Sequence, residues 1–181
     1  ITLGNSSNDF TGAVTITSDT GSEISIYDLS ALDLGTLNVK SLTVTAGGAV
    51  TDSGTLTIEE NTTISAAGFD ITLDEGASTF GTLSLTGANV SVVENAAMDL
   101  GTSTVSGTYT MKSAGSISNS GIQSITGASV FTTATTGSDI ILDQANSFTG
   151  AVTLKADTGG DEAFGNITFK DTGGVHVDFN A

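Results

Sequence analysis

Two acidic turns contain the side chains of this chain that are best suited to hold a metal ion. The candidate ligands are Asp19 and Glu23 in the first turn, and Asp157, Asp161 and Glu162 in the second. Both turns follow a Gly-Ala-Val-Thr segment, and paired carboxylates beside a glycine-rich turn offer the oxygen ligands that Ca²⁺ prefers. Neither turn matches an EF-hand or the G-G-x-G-x-D calcium repeat. Solvated acidic turns are therefore the favoured interpretation, and calcium binding is the alternative.

Catalytic groups are sparse. His176 is the only histidine, so neither a histidine metal cluster nor a Ser-His dyad can be assembled, and we expect it to be an ordinary strand residue. Polysaccharide lyases need cationic groups for uronate carboxylates, and this chain has no arginine. A glycosidase needs two carboxylates about 5–10 Å apart in a cleft, for which Asp70 and Asp74 are one candidate pair. Many other acids simply keep the chain soluble, so we expect no enzymatic activity.

The charge balance narrows the range of partners. The chain of 181 residues has four basic side chains and 20 carboxylates, which gives a formal net charge of −16. Such a chain repels phosphate backbones and anionic lipid surfaces, so we expect neither nucleic-acid binding nor membrane binding. No apolar run approaches the roughly 18 residues of a membrane span, so we expect no membrane insertion. The absence of cysteine removes disulfides and thiolate metal sites, and it is compatible with a secreted bacterial protein.

An internal repeat organises the whole chain. An Ile-x-Leu segment, a phenylalanine followed by glycine, and a strand-like run occur together at residues 1–16, 71–85 and 140–154. The copies start at residues 1, 71 and 140, so the period is 70 and then 69 residues. We expect each long repeat to form three coils of roughly 23 residues, which lies within the range of solenoid units. The chain 1–181 would then be a single β-solenoid segment of about eight coils.

Short runs of alternating apolar and polar residues predict the secondary structure. Examples are Leu42-Thr43-Val44-Thr45 and Ile71-Thr72-Leu73, in which Val, Ile, Leu and Thr suit a strand that buries one face. Gly, Asn and Asp cluster between the runs, and no segment shows a helical period. Proline would remove a ladder donor, and its absence fits strands that are paired on both sides. We predict an all-β, right-handed parallel β-helix, with a pair of antiparallel β-sandwiches as the alternative.

Several short sequence motifs are similar to those of a known family. They are 70–74 and 139–143, both Asp-Ile-x-Leu-Asp, together with Asn146-Ser147-Phe148-Thr149-Gly150-Ala151-Val152 and Gly54-Thr55-Leu56-Thr57-Ile58. In these phrases the chain resembles the β-helical repeat regions of filamentous-haemagglutinin-like and related giant bacterial surface exoproteins. The resemblance covers essentially the whole chain and implies an adhesin stalk at the bacterial cell surface, outside the cell.

Two other residue classes could form surface features. Phe10, Phe80 and Phe148 recur once per repeat, and we expect each ring to fill a corner of its own coil, with a carbohydrate-stacking platform as the alternative. The threonine pairs 15/17, 43/45, 55/57 and 108/110 would suit ice binding if they were stacked in every coil. Their spacing in the sequence is irregular, so we expect a broken array.

The function that we predict is mechanical: a non-catalytic stalk or repeat region of a secreted bacterial surface adhesin or fibre, without a required cofactor. One alternative is a fibre subunit that polymerises head to tail with copies of itself, because strand-like sequence reaches both ends. The other alternative is an adhesin repeat that binds a cell-surface glycan or protein, with calcium at the acidic turns. In each case we expect the chain to contact adjacent repeats of the same protein or further copies of itself.

Overall fold

A computed structural model describes residues 1–18, 21–156, 165–174 and 177–179. Within these ranges the chain forms β-strands and turns, without helix, and therefore contains no helix long and apolar enough to cross a membrane. The strands, in chain order, are β1 (Thr2–Leu3), β2 (Val14–Thr17), β3 (Glu23–Asp28), β4 (Leu32–Val39), β5 (Ser41–Ala46), β6 (Val50–Asp52), β7 (Leu56–Ile58), β8 (Asn61–Ser65), β9 (Ile71–Leu73), β10 (Thr82–Gly87), β11 (Val90–Glu94), β12 (Met98–Leu100), β13 (Ser103–Val105), β14 (Tyr109–Ser113), β15 (Ile117–Asn119), β16 (Gln123–Ile125), β17 (Ser129–Thr133), β18 (Ile140–Phe148), β19 (Val152–Lys155), β20 (Ile167–Asp171) and β21 (Val177–Phe179).

The strands form two parallel sheets, and the chain alternates between them. Sheet A contains β1, β3, β5, β8, β10, β12, β13, β15, β16, β18 and β20, and sheet B contains β2, β4, β6, β7, β9, β11, β14, β17, β19 and β21. Neighbouring strands run in the same direction in both sheets. The predicted parallel β-solenoid of about eight turns is thus confirmed, and the antiparallel sandwich is excluded.

The strand register refines the length of one coil. In sheet A, Ser25 pairs with Thr43, Thr43 with Thr63 and Thr63 with Ser84, at steps of 18, 20 and 21 residues. A coil is therefore about 20 residues long, shorter than the roughly 23 that a division of the repeat by three gives. The long repeat spans three and a half coils, because Thr2 lies in sheet A whereas Thr72, its counterpart, lies in sheet B.

A repeat with a half-integral number of coils exchanges the two sheets. Residues 33–36 begin in β4 of sheet B, and the matching residues 99–102 begin in β12 of sheet A. The position at which a long strand is divided into two short strands also changes sheet. The division separates β6 from β7 in sheet B, and it separates β12 from β13 and β15 from β16 in sheet A. The bend in the solenoid wall therefore moves from one face to the other between successive repeats.

One apolar cluster fills the space between the sheets. Inward residues such as Leu42, Val44, Ile71 and Leu73 are buried, and the residues that alternate with them point outward. This alternation is unusual for parallel strands, which in most folds are covered on both faces. Here only the inner face is covered, which is why the strands read as apolar-polar alternation rather than as continuous apolar runs.

Aromatic side chains bridge consecutive coils near the end of this core. Ring centroids are 5.8 Å apart for Tyr109 and Phe131, 6.0 Å for Phe131 and Phe148, and 5.5 Å for Phe148 and Phe169. The first two pairs meet edge to face and the third is tilted by 30°. Edge-to-face contacts at this distance favour association of the rings beyond the area that they bury.

The corners of the solenoid are narrow, and some of them require glycine. Gly107, Gly127 and Gly150 stack at the same corner of three consecutive coils, where the Gly127 N–H donates to the Gly107 carbonyl at 3.0 Å. A Cβ atom on Gly127 would lie 2.2 Å from the Gly107 carbonyl oxygen. Adjacent coils are only about 4.8 Å apart, so backbone has to pack directly on backbone at this corner.

We predict that Gly127→Ala destabilises the fold. The added methyl group meets main chain that cannot move without opening the ladder, and overpacking of this kind costs about 1–3 kcal/mol, or a few degrees of Tm. Gly76→Ala is the matched control, because a Cβ at Gly76 meets no atom within 4 Å. Thermal unfolding of the two variants tests this, and equal Tm values would contradict the prediction.

Candidate functional site

Of the five residues proposed as calcium ligands, only Glu23 lies in the described part of the chain. Asp19, Asp157, Asp161 and Glu162 lie outside the described residues, as does His176. Glu23 begins β3, and its side chain is exposed. In the ranges that the structure does describe, no three His, Cys, Asp or Glu side chains form a group that could hold a metal ion. Calcium binding at the two turns stays a prediction.

The two carboxylates considered for glycoside hydrolysis lie at opposite ends of one strand. Asp70 and Asp74 flank β9, and four residues of extended chain separate their backbones by about 13 Å. Each residue is also engaged in the corner structure: Asp70 Oδ1 accepts from the Asn89 N–H at 3.0 Å, and the Asp74 N–H donates to Asp52 Oδ1 at 2.8 Å.

A grid of neutral polar side chains covers the outer face of sheet A. It is formed by β5, β8 and β10, whose outward residues lie in three columns along the solenoid axis. All are exposed or half-buried. The members of the grid are Ser41, Asn61 and Thr82; Thr43, Thr63 and Ser84; and Thr45, Ser65 and Thr86.

The third column of this hydroxyl grid continues far along the solenoid. From Thr86 the pairing runs to Thr104, Ser124 and Ser147, and at the other end Thr45 pairs with Tyr27. Seven consecutive coils therefore have a residue with a hydroxyl group at the same register position. The grid itself carries no charge, although the chain has 20 carboxylates.

Sheet B has a different outer face. It presents one comparable column, in which Thr51, Thr72, Ser91 and Thr110 are paired in order. Charged residues interrupt and flank this column, since Asp33 pairs with Thr51, and Lys112 lies two residues beyond Thr110 on the same strand. Charged residues also flank the grid on sheet A, since Glu23 pairs with Ser41 and Asp99 pairs with Thr82. The difference is that three adjacent columns within the grid are uncharged, against one column on sheet B in the described part of the chain.

The threonine pairs singled out in the sequence are distributed over both sheets. Thr43 and Thr45 lie on sheet A, whereas Thr15, Thr57 and Thr110 lie on sheet B. These pairs do not form one array, as expected. The grid that does form was missed, because the partners of Thr43 and Thr45 are Ser, Thr and Asn residues at unequal sequence distances.

The repeated phenylalanines mark a second recurring arrangement, at the corners. In every copy the phenylalanine N–H donates to a carboxylate that ends a strand of the following coil. The pairs are Phe10 with Asp28 Oδ2 at 3.1 Å, Phe80 with Glu94 Oε1 at 2.8 Å, and Phe148 with Asp171 Oδ1 at 2.9 Å. We call this contact the corner clasp. The rings of Phe80 and Phe148 are buried and that of Phe10 is half-buried, which fits packing into the core better than an exposed stacking platform. The Phe148 ring also contacts the Phe169 ring of the next coil, so it does not fill a corner of its own coil alone.

Burial raises the pKa of the Glu94 carboxyl to about 7. The Phe80 N–H opposes this change by stabilising the charged form, and the negative charge of Asp99 adds to it. Burial also raises the pKa of Asp52, against the opposing effect of the backbone N–H groups of Asp74 and Glu75.

A network of buried amides lies inside the bend of sheet A. Asn146 Oδ1 accepts from Asn119 Nδ2 at 2.8 Å and from the Gln123 N–H at 3.0 Å. Gln123 Nε2 donates to the Gly101 carbonyl at 2.6 Å, and the Tyr109 hydroxyl donates to Gln123 Oε1 at 3.1 Å. Burial raises the pKa of Tyr109, so its hydroxyl stays protonated as the donor.

The corresponding bend of sheet B contains a simpler version of this network. The Leu56 N–H donates to the buried Ser78 Oγ at 3.0 Å, as the Gln123 N–H donates to Asn146. In both sheets the bend interrupts the main-chain ladder, and a buried side chain replaces the missing carbonyl. The network is structural, since each donor contact in it stays within the solenoid.

We predict that Asn146→Ala destabilises the solenoid by about 3 kcal/mol, because two buried donors lose their acceptor. Ser147→Ala is the control: its side chain is adjacent in sequence but exposed, and we expect a change within about 0.5 kcal/mol. Urea denaturation measures both changes, and equal losses for the two variants would refute the role of the network.

The comparisons with known proteins concern the repeat itself. A family model described as Repeats of unknown function (DUF5649) matches residues 21–86 and 87–155. No curated protein and no solved structure matches the chain. The first matched segment begins with β3 in sheet A, the second with β11 in sheet B, and each passes between the sheets an even number of times. Because the two segments cover more than half of the chain, the protein belongs to this family of DUF5649 repeats.

Proposed function

We propose that this chain is a non-catalytic structural segment, a stalk or repeat region of a secreted bacterial surface adhesin or fibre. The observation that supports it most is the continuous ladder: in both sheets the strands of successive coils are stacked along one axis, from β1 to β20 and from β2 to β21. A single apolar cluster follows the same axis. Each added coil extends the ladder and the core together, which is the mechanical property that a spacer requires.

Charge and surface chemistry also support a spacer. A net charge of −16 limits side-by-side association of such rods. The bacterial surface location and the adhesin context are proposed from the resemblance to filamentous-haemagglutinin-like repeats. Antibody labelling of intact source cells would test the location, and signal only after lysis would contradict it.

The spacer proposal predicts that added sequence changes one dimension only. A chain in which residues 21–155 occur twice in tandem gains seven coils, so its length should increase by about 34 Å at constant cross-section. The even number of half-coils preserves the alternation between sheets at the junction. Small-angle X-ray scattering of the parent and the extended chain gives both dimensions, and growth in the cross-section would contradict the proposal.

A second candidate function is glycan binding, and the hydroxyl grid on sheet A is the observation that favours it. The grid presents donors and acceptors in three columns at the regular spacing of the coils, and none of its members is charged. A neutral, hydroxyl-rich polysaccharide matches this chemistry better than an anionic polymer, which the overall charge repels. Tyr27 at the end of the third column offers one ring for stacking against a sugar.

We predict that the chain is retained on an insoluble neutral polysaccharide such as cellulose, chitin or starch, and that Thr63→Glu weakens retention about tenfold or more. The new charge lies at the centre of the grid and must be desolvated on binding. Thr72→Glu is the control, because it makes the same change in the same coil on sheet B. Absence of retention on all three polymers, or equal loss in both variants, would refute this candidate. Shaping of ice crystals by the chain would assign the grid to ordered water instead.

A further inference from the structure

The three corner clasps differ in how their carboxylates are satisfied. Asp28 uses both oxygens, since Oδ2 accepts from Phe10 and Oδ1 accepts from the Ser30 N–H at 2.9 Å. Asp171 also uses both, since Oδ2 accepts from the N–H groups of Gly173 and Gly174 at 2.9 and 2.6 Å. Glu94 uses only Oε1, for Phe80, and its Oε2 is buried without a hydrogen-bond partner.

The chain after Glu94 explains this difference. In the other two clasps the turn that follows returns an N–H to the second carboxylate oxygen. After Glu94, the Asn95 N–H instead donates to the Ser78 carbonyl at 2.8 Å, and the Met98 N–H donates to the Ser116 carbonyl at 2.8 Å. The N–H groups of Ala96 and Ala97, which correspond in position to the donors after Asp28 and Asp171, do not bond to Glu94 Oε2 either, because that atom has no hydrogen-bond partner. An ionised Glu94 would hold half of its charge in a buried position without compensation.

No cation offsets that charge from the elements around Glu94 in the described part of the chain. On the coil before it, Asp74 and Glu75 follow β9 and are exposed acids. On the coil after it, Lys112 of β14 is exposed and alternates with the buried Ser113, the residue that pairs with Glu94. Asp99, on β12, is the charged group that acts on Glu94, and its sign opposes ionisation.

We propose that the Phe80–Glu94 clasp is a proton-linked device: Glu94 takes up a proton when the corner closes, so this part of the solenoid is held more firmly in mildly acidic than in alkaline solution. The protonated form removes the buried charge, whereas in the Phe10 and Phe148 clasps both carboxylate oxygens of the aspartate accept hydrogen bonds. The proposal extends beyond the spacer function and does not depend on it.

The direction of the pH effect follows from linkage. The Glu94 pKa rises from 4.5 in the unfolded chain to about 7 in the folded one. Between these values the folded state binds more protons, so its stability falls as pH rises through this window and stays lower above it. The unfolding equilibrium constant should change by on the order of a hundredfold across the window from this one group.

Comparison of two charge-matched variants isolates the effect from that of the other acids. Glu94→Gln keeps the shape of the side chain and removes its titration, and Glu75→Gln removes an exposed charge nearby. Unfolding by urea is followed from about pH 5 to about pH 8. We expect the parent and Glu75→Gln to lose stability with similar slopes, and Glu94→Gln to lose markedly less. Equal slopes for all three proteins would overturn the proposal.

A second measurement on the unsubstituted protein keeps the proposal testable if Glu94→Gln does not fold. Carboxyl carbon NMR of the ¹³C-labelled chain should show one glutamate that titrates near neutral pH. Titration of every glutamate below about pH 5.5 would refute a protonated clasp. Either result leaves the spacer function untouched, because the length of the extended chain is measured independently.

Discussion

The spacing between coils is the constraint on which the other features depend. Main-chain hydrogen bonding fixes it at about 4.8 Å, whatever side chains are present. A residue such as Thr63 therefore always lies between its counterparts in the neighbouring coils, Thr43 and Ser84. Inward positions build a continuous apolar column, outward positions build polar columns, and a corner where backbones touch has to be glycine. Differences in coil length are absorbed between the strands and, in the β2–β4 and β18–β20 pairs, by register shifts within the strands.

The same constraint determines where buried polar side chains are needed. Along the strands each N–H and carbonyl is satisfied by the adjacent coil. At bends and corners the chain leaves this register, and an N–H without a carbonyl needs a side-chain acceptor. Ser78, Asn146 and the three clasp carboxylates fulfil this role. These buried side chains thus compensate for interruptions of the ladder, and among the three clasp carboxylates Glu94 leaves one oxygen without a partner.

Much of the fold follows from local sequence, whereas its register does not. Alternation over 42–45 and 71–73 correctly predicts β5 and β9, because one buried face leaves a period of two. The period of about 70 residues predicts a solenoid, but it does not show in which of the two sheets each strand lies. From the sequence alone, a repeat of three and a half coils therefore cannot be distinguished from a repeat of three coils. The ring of Phe80 is predicted to fill a corner, yet its carboxylate partner lies on the next coil and has no local signal. The hydroxyl grid was hidden for the same reason: its columns exist only once the strands are paired.

The exchange of sheets between repeats limits how one face can become specialised. A feature inherited by the repeat alternates between faces, as the same aspartate-serine contact shows: Asp33 accepts from Ser53 Oγ at 2.7 Å on sheet B, and Asp99 accepts from Ser120 Oγ at 2.8 Å on sheet A. An uncharged grid on sheet A alone therefore requires the repeats to differ. They differ at a position of the grid itself: Thr45 on sheet A corresponds to Lys112 in the matching strand on sheet B. Divergence between repeats, rather than the repeat itself, gives this segment two chemically distinct faces.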